Sequence, residues 1–199
     1  MKMRNWLAMS LASGMALALC AQRAVAPPPK PTDNGPSLAV TMRFIQDKLN
    51  DTGPINYVAF WQNTTDGSTG NNTITIEDTK VVADLNQCRI FYQEKVIRNG
   101  EDKGDIGYGF SVREIKNIVV KPYAQYLTES LADSGSPNII TTSTNPPLMA
   151  LNVNLPPNFK FHHGFNYSFI FKDADTADRV AKALTHAVEL CGGGNKDPF

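Results

Sequence analysis

Histidine and cysteine are scarce in this chain, three of each. A zinc site needs three or four such ligands at fixed spacing. His162 and His163 are neighbours, so in an extended loop they point apart, and His186 falls on the polar side of a terminal helix pattern. No Asp, Glu or Cys stands at ligand spacing to them. Exposed loop and helix histidines explain all three, and no metal is expected. No glycine-rich loop joins a strand pattern to a helix pattern, which removes the ground for dinucleotide or P-loop chemistry, and no cofactor is expected. Gly107-Tyr-Gly109-Phe-Ser111 sets its serine out of step with the G-x-S-x-G elbow. A basic cluster is also missing. Nucleic acid and anionic lipid surfaces both need one, so neither is an expected partner. The longest uncharged apolar stretch, Trp6 to Leu19, falls short of the roughly 20 residues that span a bilayer.

What is present begins with that stretch. Lys2 and Arg4 precede it, and Ala24-Val25-Ala26 and Pro27-Pro28-Pro29 follow. A basic start, a short apolar core and small residues read as an export signal over residues 1–26. Pro27 disfavours a cut after Ala26, so cuts around Cys20 are rivals. Leu17-Ala18-Leu19-Cys20 is similar to a bacterial lipobox, with Leu19 where a small residue belongs. Simple cleavage to a periplasmic or secreted form is therefore preferred over a lipid anchor at Cys20, the alternative being a membrane-tethered lipoprotein. Loss of residues 1–26 removes Lys2, Arg4 and Arg23 and no acid. Lys+Arg then falls from 19 to 16 against 19 Asp+Glu, a net charge of about −3. Residues 27–36 read as a proline-rich tether, 37–191 as one domain with its own core, and 192–199 as a tail with nothing to fold around.

Cys88 and Cys191 lie beyond the signal. Two cysteines in one exported domain favour a disulfide; the alternative is a pair of buried thiols.

The element pattern is mixed. Ser37 caps a helix whose Leu38, Met42, Ile45 and Leu49 share a face, ending at Gly53-Pro54. Ile55 to Gln62 reads as a strand, and Asn63 to Asn72 as a polar loop. Thr73 to Glu77 alternates as a half-buried strand that Val81 to Leu85 continues past a kink. Cys88 to Arg98 alternates again. Asn99-Gly100 is a turn signal, with Ile106 to Val112 as hairpin partner and Glu101 to Asp105 in the loop. Ile118 to Tyr123 is a strand with Pro122 at an edge or bulge. Ile139 to Ser143 and Leu148 to Val153 read as a pair around Asn145-Pro146-Pro147, and Tyr167 to Phe171 as the last strand. Asp173 then caps a helix reaching Cys191, with Ala177, Val180, Ala181, Leu184, Val188 and Cys191 on one face.

Strands in series closed by one amphipathic helix resemble a pleckstrin-homology-like (PH-like) domain. The stretch Tyr167-Ser-Phe-Ile-Phe-Lys-Asp-Ala-Asp-Thr-Ala-Asp-Arg-Val-Ala-Lys-Ala-Leu184 is similar to the final strand and helix of that family. The resemblance covers about residues 55–191. It implies an α+β, mainly β fold: a partly open barrel of two near-orthogonal antiparallel sheets with a C-terminal capping helix, here with an extra N-terminal helix. The whole chain is also similar to exported bacterial proteins that pair such a barrel with an N-terminal helix. Phosphoinositide-binding members carry Lys and Arg in the loop after the first strand. Residues 63–72 carry no base and one acid, Asp66, so headgroup binding does not carry over, and fold alone implies no function.

Other patterns have plain explanations. Asp173, Asp175 and Asp178 miss the calcium-loop spacing and suit a helix start. Asn99 to Asp105 suits a solvated turn better than a weak calcium site. Asn63, Asn71 and Asn166 begin glycosylation triplets, which matter only in a eukaryotic secretory route. Phe159, Phe161, His162, His163 and Phe165 form a loop that either rims a partner groove or folds inward. Together these readings point to an exported, non-catalytic binding domain for a protein or small ligand, acting through loops or an open sheet edge. The alternatives are a small-molecule carrier or enzyme with its site in the barrel mouth, which needs a cavity of a few hundred Å³, and a structural envelope protein.

Overall fold

The computed structural model describes residues 35–156 and 166–193. The expected signal, most of the expected tether, the end of the expected tail, and Phe159, Phe161, His162, His163 and Phe165 lie outside them.

Helix α1 (Leu38–Asp51) starts where the Ser37 hydroxyl accepts the Val40 N–H, and it buries Met42, Ile45 and Leu49 as its spacing predicts. Strands β1 (Ile55–Asn63), β2 (Thr69–Asp84), β3 (Arg89–Arg98) and β4 (Glu101–Ser111) then run as an antiparallel meander. A short 3-10 turn leads to β5 (Asn117–Pro122), α2 (Tyr123–Asp133), β6 (Asn138–Thr142), β7 (Met149–Asn154), β8 (Asn166–Phe171) and α3 (Ala174–Leu190). The strands form a five-stranded sheet in the order β4-β3-β2-β1-β6 and a three-stranded sheet in the order β5-β7-β8. The fold is thus α+β and mainly strand, with two antiparallel sheets and three helices among the described residues. The sheets are not closed into a barrel.

Several local expectations shift, each for a physical reason. The loop expected over residues 63–72 shrinks to 64–68. The Asn63 carboxamide oxygen accepts the Thr65 and Asp66 N–H groups, and the Asp66 carboxylate accepts both the N–H and the hydroxyl of Ser68. Pairing therefore resumes at once with Gln62 opposite Thr69. Glu101 to Asp105 belongs to β4, because Asn99 (φ 53°) and Gly100 (φ 80°) make a two-residue turn that sets Arg98 opposite Glu101. Residues 124–137 carry no expectation from the sequence pattern; most of them form α2, begun after Pro122 and closed by Gly135 at φ 81°. The expected pairing of Ile139–Ser143 with Leu148–Val153 does not occur. β6 joins β1 in the large sheet, while β7 sits between β5 and β8 in the small one.

The kink expected in the second strand is a bulge. Lys80 takes φ 53°, and the β2–β3 register shifts between Thr79 and Val82. Helix α1 covers the β2 edge there. The Asn50 side chain bonds both the N–H and the C=O of Val81 at 3.1 Å, and Gln46 accepts the Ala83 N–H at 2.8 Å. Two side chains thus stand in for a neighbouring strand.

The buried apolar residues form two clusters. The larger joins Met42, Ile45 and Leu49 of α1 to Ile90, Phe110, Leu151, Phe169, Val180 and Leu184. The smaller holds Ile55, Tyr57, Ala59, Ile74, Tyr123, Leu148, Ala150 and Ile170. Helix α3 is capped by Asp173, whose carboxylate accepts the Thr176 N–H at 2.7 Å. No described helix is long and apolar enough to cross a membrane.

Cys88 and Cys191 are joined in a disulfide, with Cα atoms 6.0 Å apart and 103 residues apart in sequence. It ties the start of β3 to the end of α3. Closing so long a span is worth on the order of 4 kcal/mol by the chain-entropy argument. Reduction, or the pair Cys88→Ser and Cys191→Ser, should lower the thermal midpoint by roughly 10 °C. Equal midpoints with and without reductant would contradict this.

Candidate functional site

The inner face of the large sheet is built by register. Ile55, Tyr57 and Ala59 of β1 are buried, and Trp61 continues their row. Tyr57 lies opposite Ile74, and Ile55 opposite Ile76. β3 extends the same rows with Arg98 opposite Ile74 and Val96 opposite Ile76. On the other side β6 sets Ile140 opposite Trp61. Helix α2 lies over this face and presents Tyr123, Leu127 and Leu131, residues spaced by four that share one side of a helix. Eleven residues do not cover the full width of the sheet. A cleft of about 470 Å³ remains, bounded by these side chains and by Asn72 and Asn138. That size lies within the range of small-molecule sites.

At the floor, the hydroxyls of Tyr57 and Tyr123 are 3.0 Å apart and their rings meet edge to face at 5.5 Å. Burial raises both phenols above their ordinary range, Tyr123 far above it, so both stay neutral at physiological pH. The indole of Trp61 lies flat against Gly70, where any Cβ would collide with the ring. Arg98 is exposed and makes no ion pair among the described residues. The Asn72 carboxamide oxygen accepts from Asn99 at 3.0 Å, and its NH₂ group has no hydrogen-bond partner among the described residues. The Asn138 carboxamide oxygen is buried and unpartnered.

Beyond Val96 the sheet carries an acidic pair, Asp78 opposite Glu94. Burial, and then the Glu94 charge, push the Asp78 carboxyl up to about 7. Burial also raises Glu94, partly offset by a hydrogen bond from Tyr108. Tyr108 itself is pushed up to about 12, by burial first and by Glu94 next.

The residues singled out from sequence do not converge on this cleft. Phe159, Phe161, His162, His163 and Phe165 lie outside the described residues. Cys88 and Cys191 are bonded to each other. The ring nitrogen Nε2 of His186 sits 2.9 Å from the Pro36 carbonyl oxygen, where the chain enters α1, and Nδ1 lies 3.7 Å from Glu189. Asp173 is spent on its cap. Sequence reasoning missed the cleft because it missed α2. The signal was there: Tyr123, Leu127 and Leu131 recur at helical spacing after Pro122. No protein-family model, no curated protein and no solved structure matches this chain.

The Asp78 carboxyl sets a pH dependence of known sign. Its folded pKa is raised from 3.8 to about 7, so the folded state holds this proton more tightly than the unfolded chain. The contribution is complete below pH ~4 and is lost as pH rises through about 7. Urea midpoints should therefore fall between pH 5 and pH 8, by up to roughly 3 kcal/mol in stability. Asp78→Asn should flatten that fall and be the more stable form at pH 8. A wild-type protein that gains stability over this interval would refute the assignment.

Proposed function

We propose that this chain is an exported, non-catalytic binding domain that holds a small molecule with a largely apolar body between α2 and the five-stranded sheet. The observation that carries the reading is the cleft of about 470 Å³, with isoleucine and tyrosine at its floor and leucines of α2 above. A few convergent polar groups on an apolar wall are the usual make-up of a ligand site. Export is supported by the signal-like residues 1–26 and by a disulfide, a bond that persists in oxidising compartments. No set of described side chains pairs a nucleophile with a base at the cleft, which favours a carrier over an enzyme.

The likeness to PH-like domains remains part of the proposal. It is supported by the four-stranded meander, the separate three-stranded sheet and the terminal helix. The insertion of α2 and β6 into that order, and the open sheets, weigh against it. Peptide docking along an open edge is less favoured. The β4 edge carries Glu101, Asp102, Lys103 and Asp105 at its start, with a register shift opposite them, the usual means of discouraging strand addition.

The test uses N-phenyl-1-naphthylamine, a neutral apolar fluorophore. The disulfide-intact protein should bind it saturably at one site. Leu127→Trp fills the cleft from α2 and should weaken that binding at least ~10-fold, about 1.4 kcal/mol, without changing the circular dichroism. Absence of binding, or equal binding by this variant, would reject the reading.

A further inference from the structure

We infer that the ligand of this cleft is an amphipathic anion, its acid group held by Arg98, Asn72 and Trp61 and its apolar body lying along Ile74, Ile76 and Leu127. This rests on the cleft being the binding site and adds the chemistry of what enters it.

The argument is one of complementary groups. Three groups at the polar end of the cleft are donors. Arg98 offers a guanidinium fork that makes no ion pair among the described residues, since Glu101, its neighbour across β4, is paired with Lys103. Asn72 has its oxygen engaged by Asn99 and its NH₂ group without a partner among the described residues. Trp61 carries an indole N–H, and an indole has no acceptor to offer. Asn72 and Arg98 are diagonal neighbours across β2 and β3, since Ile74 faces Arg98, a separation of about 7–8 Å that one planar acid group bridges. A forked cation with nearby neutral donors matches a carboxylate or a similar oxyanion. The Asn138 carboxamide oxygen, buried and without a partner among the described residues, lies on the same wall, and with the amide plane turned over that position donates.

The acidic pair lies beyond Val96. Glu94 is four residues from Arg98, roughly 13 Å along an extended strand, and it takes a hydrogen bond from Tyr108. At the cleft floor the Arg98 charge favours the ionised form of Tyr57, against the larger effect of burial, and Glu94 opposes Arg98 with a smaller effect. An anion arriving at the Arg98 end meets the cation first. The rest of the lining is aliphatic or aromatic, so the ligand needs an apolar body as well as an acid.

The test compares three probes with one tail on the disulfide-intact protein: octanoate, octan-1-ol and octyltrimethylammonium, by isothermal titration calorimetry at pH 7.5 and low salt. Octanoate should bind at least ~10-fold more tightly than octan-1-ol. Arg98→Gln should erase that difference while leaving octan-1-ol within about twofold, and Arg98→Lys should keep part of it. Arg98 is exposed, and an unchanged thermal midpoint confirms that each variant folds. Equal affinity for acid and alcohol in the wild type would overturn the anion assignment and leave the cleft reading standing. Tightest binding of the ammonium would overturn it in favour of the carboxylate pair. Failure of all three probes to bind, or octan-1-ol binding that survives Leu127→Trp, would overturn the cleft reading and this inference with it.

Discussion

Asn50 holds the two backbone groups of Val81, and the architecture turns on that contact. β2 is 16 residues long, far longer than an average strand, and it serves two cores. Its first half gives Ile74 and Ile76 to the region under α2; its second half gives Val81 and Ala83 to the region under α1 and α3. A straight strand would keep one edge and one twist throughout. The bulge at Thr79–Val82 re-aims the second half, and the edge left open beyond Ile76, where β1 pairing ends, is closed by side chains of α1. Without α1 the Val81 and Ala83 amides would lose their partners, and a buried donor left unmade costs about 1–3 kcal/mol. The N-terminal helix is therefore part of the domain and not an appendage to it.

The two cores differ in how completely they are filled. Under α1 and α3 the contacts are dense, with Tyr92, Phe110, Tyr167 and Phe169 tilted against one another. Under α2 the sheet is wider than its cover. Helix α2 reaches β6 and β1 but leaves the β2–β3 rows beneath it partly open, and the cleft is that shortfall. Its walls stay in place because Tyr57 and Tyr123 bond across the gap and the Thr128 hydroxyl accepts the Ile140 N–H at 2.9 Å, tying α2 to β6. The ion pair of Lys121 with Glu129 fixes the helix to the strand before it.

Legibility followed the range of the forces involved. Local rules located α1, α3, the Asn99-Gly100 hairpin and the kink in β2, because caps, helical spacing and positive-φ residues act within a few positions. The disulfide could be read from the cysteine count and the export expected from residues 1–26. Partner choice between strands could not. Ile139–Thr142 looks as ready to pair with its neighbour as with β1, and only the placement of α2 decides. The open cleft is likewise a difference between the width of a sheet and the reach of a helix, and no residue spells it. Arg98 ends an alternating run in the sequence, and only the register that sets it opposite Ile74 places it at the cleft.

Helix α1 and helix α3 are the first and last elements of the described chain, and they pack on each other. A chain delivered from its N-terminus presents Met42, Ile45 and Leu49 well before Val180, Leu184 and Cys191 arrive. The β1–β4 meander can form early, since its partners are sequential. The larger core cannot close until delivery is complete. The apolar stripe of α1 can thus lie on the meander early, but it is closed over only when the last helix is delivered, and until then part of it is open to any helper that shields nascent chains.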